Sequence, residues 1–414
     1  MAKVAVLGHG VVGSGVVELF HKNRHSIESK AGQSMEVKYI LDIRDFPNLP
    51  YSDRFTKDFN VILNDPEISV VAEVMGGLSP AFDYVKSLLE HGKSVVTSNK
   101  ELVAAKGAQL LKIAREHNVN FFFEASVGGG IPIIRPMHQC LAANEISEIA
   151  GILNGTTNFI LTKMIHEQMG FGEALKMAQE LGYAERNPAA DIEGHDTCRK
   201  ICILASLAFG SHVYPNTVHT EGITELTLED VAYAEDWGGV IKLIGRAKRF
   251  SEGQLSAAVF PAFLGEHSQL ANIDDVFNGV MIRGDATGDV VFYGRGAGKF
   301  PTASAVVADI IDVAKANTTS KSLCWEDSAE NHVIDIETEP FPFYLRLTSP
   351  RGEEFPTAFR AAIPDIGELN RKNQPADEWA FVTPAMPEVE LKALLGQLLK
   401  PGDKLLSRIR ILDY

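Results

Sequence analysis

The opening segment, MAKVAVLGHGVVGSGVVELF, constrains the fold of this chain more than any other stretch. Lys3 to Leu7 is an apolar run that reads as a strand. Gly8, Gly10 and Gly13 follow at G-x-G-x-x-G spacing, and Val16, Val17, Leu19 and Phe20 supply the apolar side of a helix. A strand that passes through so tight a turn into a helix presents unpaired helical N–H groups at the strand end. A pyrophosphate can approach that backbone closely only where no Cβ intervenes. A glycine turn that binds no nucleotide is the competing account.

The rhythm then repeats. A second strand, Val37 to Leu41, ends in Asp42, Ile43, Arg44 and Asp45, where the ribose of a dinucleotide lies. An acid there suits the 2′-hydroxyl of NAD and an arginine the 2′-phosphate of NADP. Both cofactors stay open, with Arg44 inclining the balance to NADP. Strand-like Val70 to Val74 runs into Met75, Gly76 and Gly77, and a helix near Ala81 to His91, the strand Ser94 to Thr97 and the strand Asn120 to Phe123 follow. This alternation predicts an α/β fold with a doubly wound parallel sheet of Rossmann type. Lys100 falls at the carboxyl edge of that sheet, as a ligand-facing amine or as an ordinary solvated lysine. In EASVGGGIP, Gly128, Gly129 and Gly130 demand unusual backbone geometry. The exposed carbonyls of such a loop, with Glu124, suit a hard cation, and a hinge between domains is the alternative.

After Pro132 comes strand-like Ile146 to Leu153, the turn Asn154-Gly155, two helices, and then YAERNPAADIEGHDTCRK, Tyr183 to Lys200. Asp196 and Lys200 stand four apart, which on a helix places carboxylate and amine on one face. Ile201, Ile203, Leu204, Ala205, Leu207 and Ala208 behind them predict a buried helix, and Glu185, Asp191 and Glu193 lie ahead. A lysine at a core boundary among carboxylates suits a small cationic substrate and a proton transfer; an ordinary ion pair at a helix end is the plain alternative. His195 reads as helix-start polarity, and Cys198 and Cys202 as packing residues. Further on, YGRGAGKFPTASAV offers backbone amides for a phosphate or a nicotinamide amide, or a tight turn capping a helix to about Ala314, and Ala316 to Leu323 reads as a linker.

With 414 residues, 45% of them hydrophobic and 22% charged, two or three soluble domains are expected. A formal net charge of -15 argues against a general nucleic-acid or anionic-membrane binder. No apolar run reaches the roughly 18 to 20 residues that span a bilayer, and the N-terminus lacks the regions of a signal peptide, so a cytoplasmic location is expected. The four cysteines form no CxxC motif and are too few for a disulfide framework.

Taken together, GHGVVGSG, EVMGG, TSNKELVA, EASVGGGIPII, GILNGTTNFIL, GYAERNPAADIEGHDTCRK and YGRGAGKFPTASAVVADI, in this order over roughly residues 1 to 318, resemble the homoserine dehydrogenases. The resemblance implies interconversion of L-homoserine and L-aspartate 4-semialdehyde with NADP or NAD, in threonine and methionine biosynthesis. It implies that Gly8, Gly10, Val11, Val12 and Gly13 form the dinucleotide turn, with Gly76 and Lys100 further along the same cleft and Gly182 and Gly298 at the nicotinamide end. By the same resemblance Glu185, Asp191 and Asp196 bind homoserine, Lys200, alone or with Lys100, moves the proton, and Glu124 with the carbonyls of Val127, Gly129 and Ile131 binds a sodium ion. A homodimer or higher homo-oligomer is the family expectation. A related Rossmann dehydrogenase of another amino-acid semialdehyde or hydroxy acid, or a nicotinamide-sensing protein without turnover, are the other readings.

The expected division is a cofactor-binding domain over 1–133, with 300–318 packing back on it, an α+β catalytic and dimerisation domain over 134–299, and a small C-terminal α+β domain over 319–414. In that last part PFYLRLTS, WAFVTPAMPEVELKALLGQL and SRIRILDY supply strand, strand, helix and strand, similar in outline to the ACT domains that end many homoserine dehydrogenases. It departs where such a domain binds its effector: an Asp and a Pro-Gly turn are replaced by SPRGEEFPTAFRAAIPDIGEL. Threonine control and a degenerate, structural or oligomerising domain both stay open.

Overall fold

The computed structural model describes residues 1–250, 253–315, 323–327 and 332–414. The expected linker lies outside the described residues except at Leu323. Two compact units form: Met1–Ile146 with Cys202–Pro215 and Arg283–Glu330, and Ser147–Ile201 with Asn216–Ile282 and Asn331–Tyr414.

The first unit opens with β1 (Ala2–Leu7), α1 (Val11–Lys22), α2 (Arg24–Ala31), β2 (Met35–Leu41), β3 (Phe55–Thr56), α3 (Phe59–Asn64), β4 (Ile68–Glu73), α4 (Ala81–Glu90), β5 (Ser94–Thr97), α5 (Lys100–Glu116) and β6 (Phe121–Phe122). The strands pair in parallel in the order β3-β2-β1-β4-β5-β6. Winding reverses between β1 and β4, so the switch point where open α/β sheets take their ligands lies beyond Leu7 and Glu73, which pair across that seam. Val4, Val6, Val37, Val70 and Ala72 are buried in the near-continuous apolar manner of a sheet covered on both faces, and Val16, Val17 and Phe20 of α1 join them.

The chain continues with β7 (Ile146–Ile152), α6 (Gly155–Glu167), α7 (Phe171–Glu180), α8 (Ala189–Ile192), α9 (His195–Phe209), β8 (His219–Thr220), α10 (Leu228–Trp237), β9 (Gly239–Arg249), β10 (Leu255–Gly265) and β11 (Phe277–Gly284). Next, β12 (Gly288–Arg295) and α11 (Lys299–Lys315) return to the first unit, where Ala303, Val306 and Ile310 share its core. The second unit is completed by β13 (Pro340–Phe341), β14 (Phe343–Thr348), α12 (Glu354–Ala362), β15 (Gly367–Leu369), β16 (Glu378–Val382), β17 (Met386–Pro387), α13 (Glu388–Leu398) and β18 (Lys404–Leu412).

A mixed sheet runs through this unit in the order β11-β7-β9-β10-β18-β14-β16-β15. Apart from the separate β13 and β17 pair, the C-terminal segment has a β-α-β-β-α-β order, and its β18 pairs in parallel with β10 and extends the same sheet. α12 and β15 are not among the elements expected from the sequence. Pro356 masks the helix, yet it stands in the first turn, where no intrahelical N–H is needed, and Phe355 and Phe359 bury the inner face. On β9, a Cβ at Gly245 would lie 2.9 Å from Thr197 and 3.1 Å from Leu153, so the glycine lets α9 settle close over the sheet.

Candidate active site

The carboxyl edge of the parallel sheet carries the glycine turn and the buried groups around it. Gly8 has φ +96° and packs against Met75, while a Cβ at Gly13 would fall 1.9 Å from the Gly8 carbonyl oxygen, so both need glycine. Gly10, in contrast, has nothing within 4 Å of a built Cβ, and Val11 beside it is exposed at the start of α1. The turn is therefore tight on its inner side and open on its outer side, which is the shape a pyrophosphate requires.

At the end of β2 the two side chains that pointed to different cofactors form one unit. The Asp42 carboxylate accepts the His9 amide (2.8 Å) and the Arg44 Nε (3.0 Å) and Nη2 (3.0 Å), and Arg44 Nη2 also reaches the His9 carbonyl (3.1 Å). The Arg44 guanidinium holds the Asp42 carboxyl well below the usual carboxylate range. Arg44 and Lys57 line a surface cavity with Ser52 beside this pair.

At the end of β4 a fully buried carboxylate, Glu73, organises the next turn. It accepts the Met75 (2.9 Å) and Gly76 (3.4 Å) amides and the Thr97 hydroxyl (2.6 Å), and burial pushes its carboxyl up. Thr97 accepts the Asn99 amide (2.9 Å), and Asn99 donates to the Gly77 carbonyl (2.7 Å) while capping α5 through the Leu102 amide. Gly76 and Lys100, the first residue of α5, are thereby held by one buried network. Sequence reading missed Glu73, whose signal is a lone acid inside an apolar strand.

Glu124 is also buried, and its oxygens accept the Ile133 (2.6 Å), Ile134 (2.9 Å) and Arg135 (2.8 Å) amides. Arg135 is bonded to Asp309 (2.6 Å), which accepts the Glu124 amide (2.9 Å). The two glycine clusters meet here: a Cβ on Gly129, at φ +57°, would fall 2.3 Å from the Gly296 carbonyl oxygen, and the Gly130 amide donates to Arg295 (3.1 Å). Gly298 follows at φ +125°. Among the described residues no group of three or more His, Cys, Asp or Glu side chains gathers as a metal site.

The second unit carries its own polar cluster. Lys200 is buried on α9, donating to the Leu153 carbonyl (2.6 Å) and pairing with Asp196 (2.7 Å), as their helical spacing predicted. Asn154 completes the cluster: its Nδ2 donates to Asp191 Oδ1 (2.7 Å) and Asp196 Oδ2 (2.9 Å), and its Oδ1 accepts the Thr157 amide (2.9 Å) as the cap of α6. Asp191 is half-buried; Glu185 and Gly182 are exposed on the connection between α7 and α8, Gly182 at φ +75°. Asp196, Asp191 and Lys200 are thus brought together with Asn154, and Glu185 stands outside these bonds. Only the Asn-Gly turn announced Asn154, and as a turn rather than a ligand. His195 sits 3.2 Å from Glu193 at the exposed helix start, and Cys198 and Cys202 are buried.

A parallel sheet with a glycine turn open to a pyrophosphate, joined to a unit that buries an amine among carboxylates, defines an oxidoreductase that uses a nicotinamide cofactor. Residues 8–124 match the model of the homoserine dehydrogenase NAD-binding domain, and residues 132–311 match that of homoserine dehydrogenase. A homoserine dehydrogenase of Synechocystis is 44% identical over 326 residues, covering 77% of this chain and 74% of that protein. The crystal structure of a homoserine dehydrogenase from Thiobacillus denitrificans superposes with a TM-score of 0.90 at 35% identity, covering 100% of this chain and 98% of that one. A hyperthermophilic archaeal homoserine dehydrogenase mutant, in complex with NADPH, superposes at 0.63 with 26% identity over 75% of this chain and 97% of its own. The chain belongs to the homoserine dehydrogenase family. It is an NAD(P)-dependent oxidoreductase of amino-acid biosynthesis that interconverts L-homoserine and L-aspartate 4-semialdehyde.

Proposed function

We propose that Lys200 is the acid/base residue of this reaction and that Asp191, Asp196 and Glu185 receive the substrate ammonium. The observation that carries this reading is the buried cluster of Lys200, Asp196, Asp191 and Asn154. Oxidising homoserine removes a hydride from the alcohol carbon and a proton from its hydroxyl. The bound nicotinamide supplies the hydride acceptor; the proton needs an amine able to alternate between neutral and charged forms. Burial favours the neutral form of Lys200 and Asp196 the charged form, so the two oppose each other at one nitrogen. In the reducing direction the ammonium donates that proton and stabilises charge growing on the carbonyl oxygen, alone or with Lys100.

On the cofactor side, Gly8, Gly10, Val11, Val12 and Gly13 cradle the pyrophosphate, with Gly76 beside it and Gly182 and Gly298 toward the nicotinamide. Arg44 supports NADP by offering its guanidinium to a 2′-phosphate, and Asp42 supports NAD by offering an acceptor to a ribose hydroxyl. Sodium is proposed at Glu124 and the carbonyls of Val127, Gly129 and Ile131. In support, the Gly128 carbonyl, outside that set, is the one taken within the loop by the Ile131 amide (2.9 Å). Such an ion would order the loop and take no part in hydride transfer. A homodimer is proposed from the prevalence of two-fold assemblies. A cytoplasmic location is proposed as well; no helix among the described residues is long and apolar enough to cross a membrane. The three-part division at 133 and 319 is retained as a proposal about working parts.

Homoserine oxidation measured in parallel with NAD and NADP tests the cofactor reading. Lys200→Ala is expected to lower turnover about a hundredfold or more, the usual scale for a lost general acid/base. Near-normal turnover would remove Lys200 from this role. Glu185→Gln is expected to raise the Michaelis constant for homoserine, and an unchanged value would take the ammonium from it.

A further inference from the structure

Asp191 and Asp196 flank the turn Ile192–Gly194, and that turn rests on the strip Thr220–Ile223. The Ile223 amide donates to the Ile192 carbonyl (2.8 Å). A Cβ on Gly222 would fall 2.2 Å from that carbonyl oxygen, and one on Gly194 would fall 3.1 Å from the Glu221 carbonyl oxygen. Packing this close ties the backbone that runs between Asp191 and Asp196 to the strip.

The strip is held in turn by the C-terminal segment. Along β10, β8 pairs at Ala258 and Val259 and β18 pairs at Ala262 to Leu264, so the two short partners follow one another on the same strand. Arg410 of β18, 2% exposed, bonds Glu221 (2.8 Å), lies 4.9 Å over the Phe260 ring and binds Glu388 at the start of α13. His219 also bonds Glu221 (2.6 Å). Burial opposes the Glu221 charge, but the His219 and Arg410 contacts outweigh it and hold its carboxyl at about 2. A buried arginine shared between two carboxylates is costly to break at either end, which makes it a firm anchor.

We propose that Arg410, acting through Glu221, is a positioning residue for the substrate carboxylates Asp191 and Asp196. The C-terminal segment thereby sets the floor of the homoserine pocket. This rests on the assignment of Asp191 and Asp196 to the substrate ammonium.

The test uses the full chain and measures homoserine KM, cofactor KM, and kcat across pH for Glu221→Gln, Arg410→Lys and the double variant. Homoserine KM is expected to rise roughly three- to tenfold in Glu221→Gln, the range of coupling between neighbouring side chains, and less in Arg410→Lys. The double variant should match the worse single change, with cofactor KM and the kcat pH profile as in the parent. Homoserine KM unchanged in both single variants overturns the proposal, and so does an equal rise in cofactor KM, which marks a general structural defect. Should Glu221→Gln fail to fold, Glu221→Asp carries the same expectation beside Arg410→Lys. Unchanged homoserine KM in Asp191→Asn and Asp196→Asn brings down the underlying assignment; a raised homoserine KM in those two with a flat one in the Glu221 and Arg410 variants brings down this inference alone.

Discussion

Asn154 does two things with one amide group. Its oxygen caps α6, which fixes the flip of the amide, and its nitrogen is then obliged to face Asp191 and Asp196. The carboxylates are held apart at a set spacing with a neutral donor between them, the arrangement proposed above to receive the substrate ammonium. Asn154→Ala is expected to lower stability by about 1 kcal/mol through the lost cap. Losing the bridge should also reduce kcat/KM for homoserine roughly tenfold, as for a hydrogen bond to a charged group. Denaturant unfolding and steady-state kinetics read the two effects separately; a stability loss with unchanged kcat/KM would make Asn154 a cap and nothing more. The Asp196 and Lys200 pair was legible in the sequence because its partners are one helical turn apart. Asn154 was not, because it meets Asp191 and Asp196 from 37 and 42 residues away.

The same division between local and distant information appears among the elements. β1, α1, β2, α4 and β5 were legible because each carries its own periodicity and the glycine turn tied the first two together. In the C-terminal segment β14, β16, α13 and β18 were legible as well, whereas α12 was obscured by Pro356 and the pairing of β10 with β18 has no local signature at all. Equally silent was Gly245, an ordinary glycine in an apolar strand until α9 is laid over it. Because a Cβ there would press on Thr197 and Leu153, Gly245→Ala is expected to cost about 1 to 3 kcal/mol by overpacking. It should also lower kcat, since Thr197 lies on the helix that carries Lys200 and Leu153 supplies the carbonyl to which Lys200 donates. An alanine variant with parental stability and kcat would show that the helix has slack.

At the scale of the whole molecule, regulation by a small effector needs a ligand that binds one state better than another, and so a site with groups to offer it. The resemblance to ACT domains places that site at the connection between β14 and α12, and here its own side chains close it. Arg351 bonds Asp403 through Nη2 (2.5 Å) and Nε (3.3 Å), donates to the Leu398 carbonyl (3.1 Å) and lies 4.8 Å over the Phe355 ring. The Asp403 side chain is fully buried in that pair. An amino acid entering this connection would have to displace a half-buried arginine from a buried carboxylate and satisfy both. L-Threonine is therefore expected to leave the initial rate of homoserine oxidation unchanged at concentrations far above those of the substrate. The melting temperature should stay constant as well, whereas a ligand at a hundred times its Kd would add about 2.7 kcal/mol of stability. Saturable inhibition accompanied by a rising melting temperature would show that the Arg351 and Asp403 pair opens to admit an effector.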